Sequence, residues 1–100
     1  MNIDEKKKII MQYMIENAPD HLPEYKQVFN TENHKYRFNI DGAIRMLELS
    51  DNFMNDHQVD YIIRQIKALR IIESLLEGEG NYILTNKGVL KRLTLLTMDW

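Results

Sequence analysis

Asn81-Tyr82-Ile83-Leu84-Thr85-Asn86-Lys87-Gly88 reads as a short strand that runs into the start of a helix, and the rest of the second half is organised around it. Tyr82 and Leu84 share one face of an extended segment, as alternation along a strand requires. Thr85 suits the N-cap of a final helix over residues 86–98, because its hydroxyl can accept a backbone N–H of the first turn. That helix would bury Val89, Leu90, Leu93 and Leu96 and bring Trp100 back to the buried side. Just upstream lies Glu77-Gly78-Glu79-Gly80. Its two glycines can take positive φ without a Cβ clash, so a hairpin turning at residues 78–81 is expected. Residues 71–77, with β-branched Ile71-Ile72 and then Leu75 and Leu76 among polar residues, form its first strand.

Upstream of the hairpin, Val59, Ile62, Ile63, Ile66 and Leu69 repeat at helical spacing and predict an amphipathic helix over residues 56–70. Continuing that register past Arg70 would turn Glu73 into the apolar stripe, so the helix stops near Arg70. Asn55 followed by Gln58 is close to a capping box for its start. Asp41 reads as the N-cap of a preceding helix through Leu49, with Ala43, Ile44 and Leu47 inward and residues 50–55 as the connecting turn.

This order of helix, turn, helix, strand, glycine turn and strand resembles the winged helix-turn-helix proteins over residues 41–96. The 82–88 motif is similar to the wing-to-helix segment of MarR-, PadR- and ArsR-type regulators. The resemblance implies a mostly α, α+β domain of three to five helices with a small antiparallel β-hairpin wing. It also implies a transcriptional regulator that lays the helix 56–70 in the major groove of double-stranded DNA. On that helix His57, Tyr61, Arg64 and Gln65 point away from the apolar stripe, and Arg64 and Gln65 are the residue types that read guanine and adenine edges. Lys67, Arg70 and Lys87 are the expected phosphate contacts. The wing tip, however, carries Glu77 and Glu79, where phosphate would be repelled. A winged-helix protein interaction module without DNA binding is therefore the alternative.

The N-terminal forty residues are expected to be a helical extension of one domain spanning residues 1–100. A first helix runs from Asp4 to about Asn17, with Ile3, Ile10, Tyr13 and Met14 inward. Met11 and Ile15 fall off that stripe, as does Leu95 on the last helix, and these three are the expected homodimer interface. Pro19 ends the first helix. A short helix follows over 22–29, with Tyr25, Val28 and Phe29 at i, i+3 and i+4. Residues 35–40 alternate, with Tyr36, Phe38 and Ile40 on one face, and form a candidate strand.

One hundred residues make a single domain with a core of its own. Thirteen Lys and Arg against fifteen Asp and Glu give a net charge of −2, so any nucleic-acid site is a local patch. Residues 57–100 carry six basic and five acidic groups, against seven and ten in residues 1–56. The chain has no cysteine, which excludes disulfides and thiolate metal sites and fits a cytoplasmic protein. The Lys6-Lys7-Lys8 start lacks a signal-peptide pattern, and no apolar run reaches the roughly 20 residues of a membrane span. His21, His34 and His57 show no ligand spacing, and the glycines form no phosphate loop. No metal, cofactor, catalytic residue or enzymatic activity is expected.

Overall fold

The computed structural model describes residues 1–78 and 80–93. Four α-helices cover one face of a five-stranded mixed sheet. In chain order the elements are α1 (Ile3–Asn17), β1 (Glu24–Gln27), β2 (His34–Ile40), β3 (Ala43–Leu49), α2 (Asp51–Asp56), α3 (Val59–Ala68), α4 (Ile71–Leu76), β4 (Tyr82–Leu84) and β5 (Leu90–Arg92). The strands lie side by side in sequence order, β1-β2-β3-β4-β5. All neighbours pair antiparallel except β3 and β4, which run parallel through Leu47↔Tyr82 and Leu49↔Leu84. A parallel pair cannot be joined by a tight turn. The three helices α2, α3 and α4 make the crossover.

Alternation along the strands fixes which face the helices cover. His34, Tyr36, Phe38 and Ile40 on β2, Leu47 and Leu49 on β3, and Tyr82 and Leu84 on β4 are all buried. All of these except His34 pack with Ile10, Met14, Phe53, Ile62, Ile66, Ile71 and Leu75 from the four helices in one core. The opposite phase of the sheet carries Glu24, Lys35, Arg37, Glu48, Ile83 and Lys91, with Lys35 paired to Glu48 at 3.9 Å and Arg37 to Glu24 at 2.9 Å. One buried lysine ties the helices together. Lys6 Nζ donates to the carbonyls of Met54 at 2.6 Å and His57 at 2.8 Å, a cation placed at the end of α2 where the unpaired carbonyls lie.

This architecture corrects the expected winged helix in several places. The largest is residues 41–49, expected as a helix and found as β3. Asp41 and Gly42 have φ of 53° and 85°, and Ile40 pairs with Ala43. They therefore form a two-residue hairpin turn with positive φ at both positions, the Asp-Gly signature of type I′. Asp41 is a turn residue, not an N-cap. Without a helix at 41–49 the helix-turn-helix expected over residues 41–70 does not form, and the helix preceding α3 is instead α2, which takes up most of the expected turn at 50–55 and ends at Asp56. Ser50 is its N-cap, accepting from the Phe53 N–H at 3.5 Å.

The expected short helix over 22–29 is strand β1 and its turn, where Tyr25 packs across the sheet against Tyr36. With β2 it makes the N-terminal forty residues part of the sheet, not a helical extension. Residues 71–77, expected as the first wing strand, are α4. The helical register does fail at Arg70, which sits in the left-handed region at φ 52°. It restarts at once with Ile71, Ile72 and Leu75 buried at i, i+1 and i+4. The expected turn at 78–81 therefore has a helix before it and not a strand. A hairpin instead joins β4 to β5 through residues 85–89, and residues 86–92, where a helix was expected, form part of its turn and its second strand. Thr85 closes that turn: its N–H donates to Val89 O at 3.0 Å and its hydroxyl accepts from the Val89 N–H at 3.2 Å. The rest of the expected last helix, with Leu95, Leu96 and Trp100, lies outside the described residues.

Candidate functional site

Because β2 and β4 flank β3, the turn before β2 and the turn after β4 rise from the same end of the sheet, one on each side of the segment leaving β3. Between them lies a cleft of about 590 Å³, inside the range of about 300–1,000 Å³ usual for small-molecule sites. Thr31, Glu32 and Asn33 form one wall, Ser50, Asp51 and Asn52 the floor, and Thr85, Asn86 and Lys87 the other wall, with Ile83 and Lys91 at its outer edge. The floor lies just beyond the carboxyl ends of the only parallel pair among the described strands, β3 and β4. Ligands of open α/β sheets bind at that end of parallel strands.

The first wall is held by its own backbone. Val28 N–H donates to Asn33 O and Glu32 N–H to Val28 O, each at 2.8 Å. Glu32 takes a φ of 61° to make the bend, a conformation that L residues adopt at a cost. Asn33 then links wall to floor, accepting from the Asp51 N–H at 3.0 Å and donating to Glu48 at 2.8 Å.

Beneath the floor runs a buried polar chain. His34 Nε2 meets Asp51 Oδ1 at 2.8 Å, and His34 Nδ1 meets the Tyr25 hydroxyl at 2.7 Å. The imidazole is fully buried. Burial holds its pKa below the ordinary value, and the Asp51 carboxylate opposes that only in part. Neutral imidazole has one donor and one acceptor. The carboxylate assigns the proton to Nε2, and Nδ1 accepts from Tyr25. The other Asp51 oxygen accepts from Asn55 at 3.0 Å. Both nitrogens of His34 are therefore committed, and it joins β1, β2 and α2 without reaching the cleft.

The second wall depends on a glycine. Gly88 has φ 73°, and a Cβ there would stand 3.4 Å from the Phe53 ring. Ser50 hydrogen-bonds from its hydroxyl to Asn86 Oδ1, and its N–H donates to Leu84 O at 3.0 Å. Floor and second wall are thereby joined.

The expected DNA-contacting residues are partly dispersed. Arg64, Lys67 and Arg70 are exposed on and after α3, and Gln65 is half-buried. Lys67 lies over the Tyr13 ring at 5.5 Å, and Arg70 approaches Glu73 at 3.9 Å. His57 and Tyr61 stack at 4.5 Å between ring centroids, with Phe53 beside His57 at 4.8 Å. Only Lys87 reaches the cleft. Of the residues expected at a dimer interface, Met11 packs against the core, Ile15 is half-buried and Leu95 lies outside the described residues.

Asn33, Ser50, Asp51 and Asn86 escaped the sequence reading, since nothing in their spacing unites them. His34 was open to discovery, because it continues the phase of Tyr36, Phe38 and Ile40 onto the core face. Among the described residues no group of three or more His, Asp or Glu side chains is placed to hold a metal ion, and no helix is long and apolar enough to cross a membrane. Compared with protein-family models, curated proteins and solved structures, the chain shows no significant match.

Proposed function

We propose that the protein is a binding module that takes a small, charged, polar ligand in the cleft between its two turns. The single observation that carries this reading is the cleft itself, lined by hydroxyl, amide and charged side chains from three separate segments. A small-ligand cleft is a different role from the expected DNA-binding regulator and from the expected protein interaction module, and it lies at the carboxyl ends of β3 and β4. Binding is favoured over catalysis because the one histidine beside the floor is sealed, with both ring nitrogens bonded within the protein. Amide-shift mapping of the ¹⁵N-labelled protein with sodium acetate and with triglycine tests it. Saturable shifts at residues 31–33, 50–52 and 85–87 are expected. Shifts that rise linearly, or that avoid all three segments, overturn it.

A second reading keeps duplex DNA as the partner and is favoured by one observation. Arg64 and Lys67 are exposed on α3, with Arg70 just beyond its end. A salt titration against mixed-sequence duplex tests this, since phosphate binding weakens with salt through counterion release. Absence of binding at low salt removes it.

A further inference from the structure

The cleft divides its charges by wall. Glu32 stands on the turn before β2, whereas Lys87 and Lys91 stand on the turn after β4 and on β5. These three groups have no hydrogen bond or ion pair among the described residues, although they line one cleft and carry opposite signs. The cleft is not closed by its own ion pair. The other acidic group, Asp51, has one oxygen on His34 and one on Asn55, which leaves Glu32 as the uncommitted carboxylate.

We infer that the ligand carries two separated charges of opposite sign, as a short peptide with free termini does, its ammonium end toward Glu32 and its carboxylate end toward Lys87. This rests on the cleft being a binding site at all. A simple anion would gain Lys87 and Lys91 but face Glu32 across the floor, and a simple cation would meet the reverse. A dipolar ligand satisfies both walls. The walls rise beside β2 and β4, two strand spacings apart, or about 10 Å. Three extended residues span about 10 Å, which matches a tripeptide, whereas the charges of a free α-amino acid lie too close together to reach both. Between the charged ends the lining suits peptide groups. Asn86 uses its Oδ1 for Ser50, which leaves its amide N–H groups to donate to a carbonyl.

Capping the ligand tests this on the unaltered protein. Dissociation constants are measured by amide-shift titration for triglycine, N-acetyl-triglycine and triglycinamide, with acetate alone as the single-charge probe. Triglycine should shift residues 31–33 and 85–87 together, and each cap should weaken binding about fivefold, the upper end for one partly exposed ion pair. Equal affinity of capped and uncapped peptides overturns the dipolar assignment. Saturable acetate binding confined to residues 85–87, with triglycine no tighter, also overturns it while leaving the cleft as a binding site. If neither acetate nor triglycine shifts either wall, the binding site fails and the inference with it.

Discussion

His34 Nε2 lies 2.8 Å from Asp51 Oδ1, and this bond fastens the second strand of the sheet to the first turn of the helix that floors the cleft. The imidazole is neutral and fully buried, so it links stability to pH. Its folded pKa lies below the ordinary value of about 6.5. The unfolded chain therefore binds the proton more readily below that pH. Stability is fully present above pH 6.5 and falls as the pH drops below it. Urea midpoints measured between pH 5 and 8 should show this decline, and His34→Ala should lower the midpoint at pH 7.5 while flattening its pH dependence over that window. An unchanged slope in the variant would remove His34 as its source.

The turn between β2 and β3 requires positive φ at two successive positions. Gly42 has φ 85° with nothing within 4 Å of a Cβ built there, so the strain of a side chain is purely conformational. Gly42→Ala should cost about 1–2 kcal/mol, read as a lowered urea midpoint with unchanged slope.

Arg70 is the mirror case, a non-glycine residue already in the left-handed region between α3 and α4. Arg70→Gly relieves that strain and loses only the 3.9 Å approach to Glu73, worth little at an exposed site. Thermal unfolding should show a gain of up to about 1 kcal/mol. A loss would mean that the α3–α4 break does not hold Arg70 in this conformation.

Tyr36 is fully buried in the sheet, and its hydroxyl has no hydrogen-bond partner among the described residues. Burial also pushes its pKa well above the usual phenol range. An unpaired buried hydroxyl is unfavourable, and removing it leaves the ring's packing intact. Tyr36→Phe should leave stability unchanged or raise it by up to about 1 kcal/mol. A clear loss in chemical denaturation would show that the hydroxyl has a partner after all.

The elements legible in the sequence are those where one periodicity ran long enough to exclude the other. The ten residues of α3 carry a clear apolar stripe, α1 is long and has Ile10, Tyr13 and Met14 buried on one side, and β2 alternates from Tyr36 to Ile40. The break at Arg70 was visible because Glu73 could not follow the stripe of α3. Short segments failed for the opposite reason. Ala43, Ile44 and Leu47 fit a helical face as well as Leu47 and Leu49 fit a strand, and only Asp41-Gly42 could have decided between them. Ile71-Ile72 is β-branched, yet in α4 the packing of both residues and Leu75 into the core outweighs that preference. Thr85 looked like a helix cap because the same hydroxyl geometry closes a hairpin turn.

The cleft was legible only at Lys87, and for a different reason. Its walls and floor come from residues 31–33, 50–52 and 85–87, which no spacing rule connects. The pairing of β3 with β2 on one side and β4 on the other brings them together, and residues 43–49 fit a helical face well enough to hide that strand.

The most direct measurement is the triglycine dissociation constant in Glu32→Lys, Lys87→Glu and the double reversal. Both residues are exposed, so the three variants should fold as the parent does. Each single reversal should weaken binding at least about fivefold by replacing an attraction with a repulsion. The double reversal, which exchanges the charges of Glu32 and Lys87 while Lys91 stays in place, should recover part of that affinity with the peptide bound end for end. Three variants that bind triglycine as the parent does would contradict the cleft as the site.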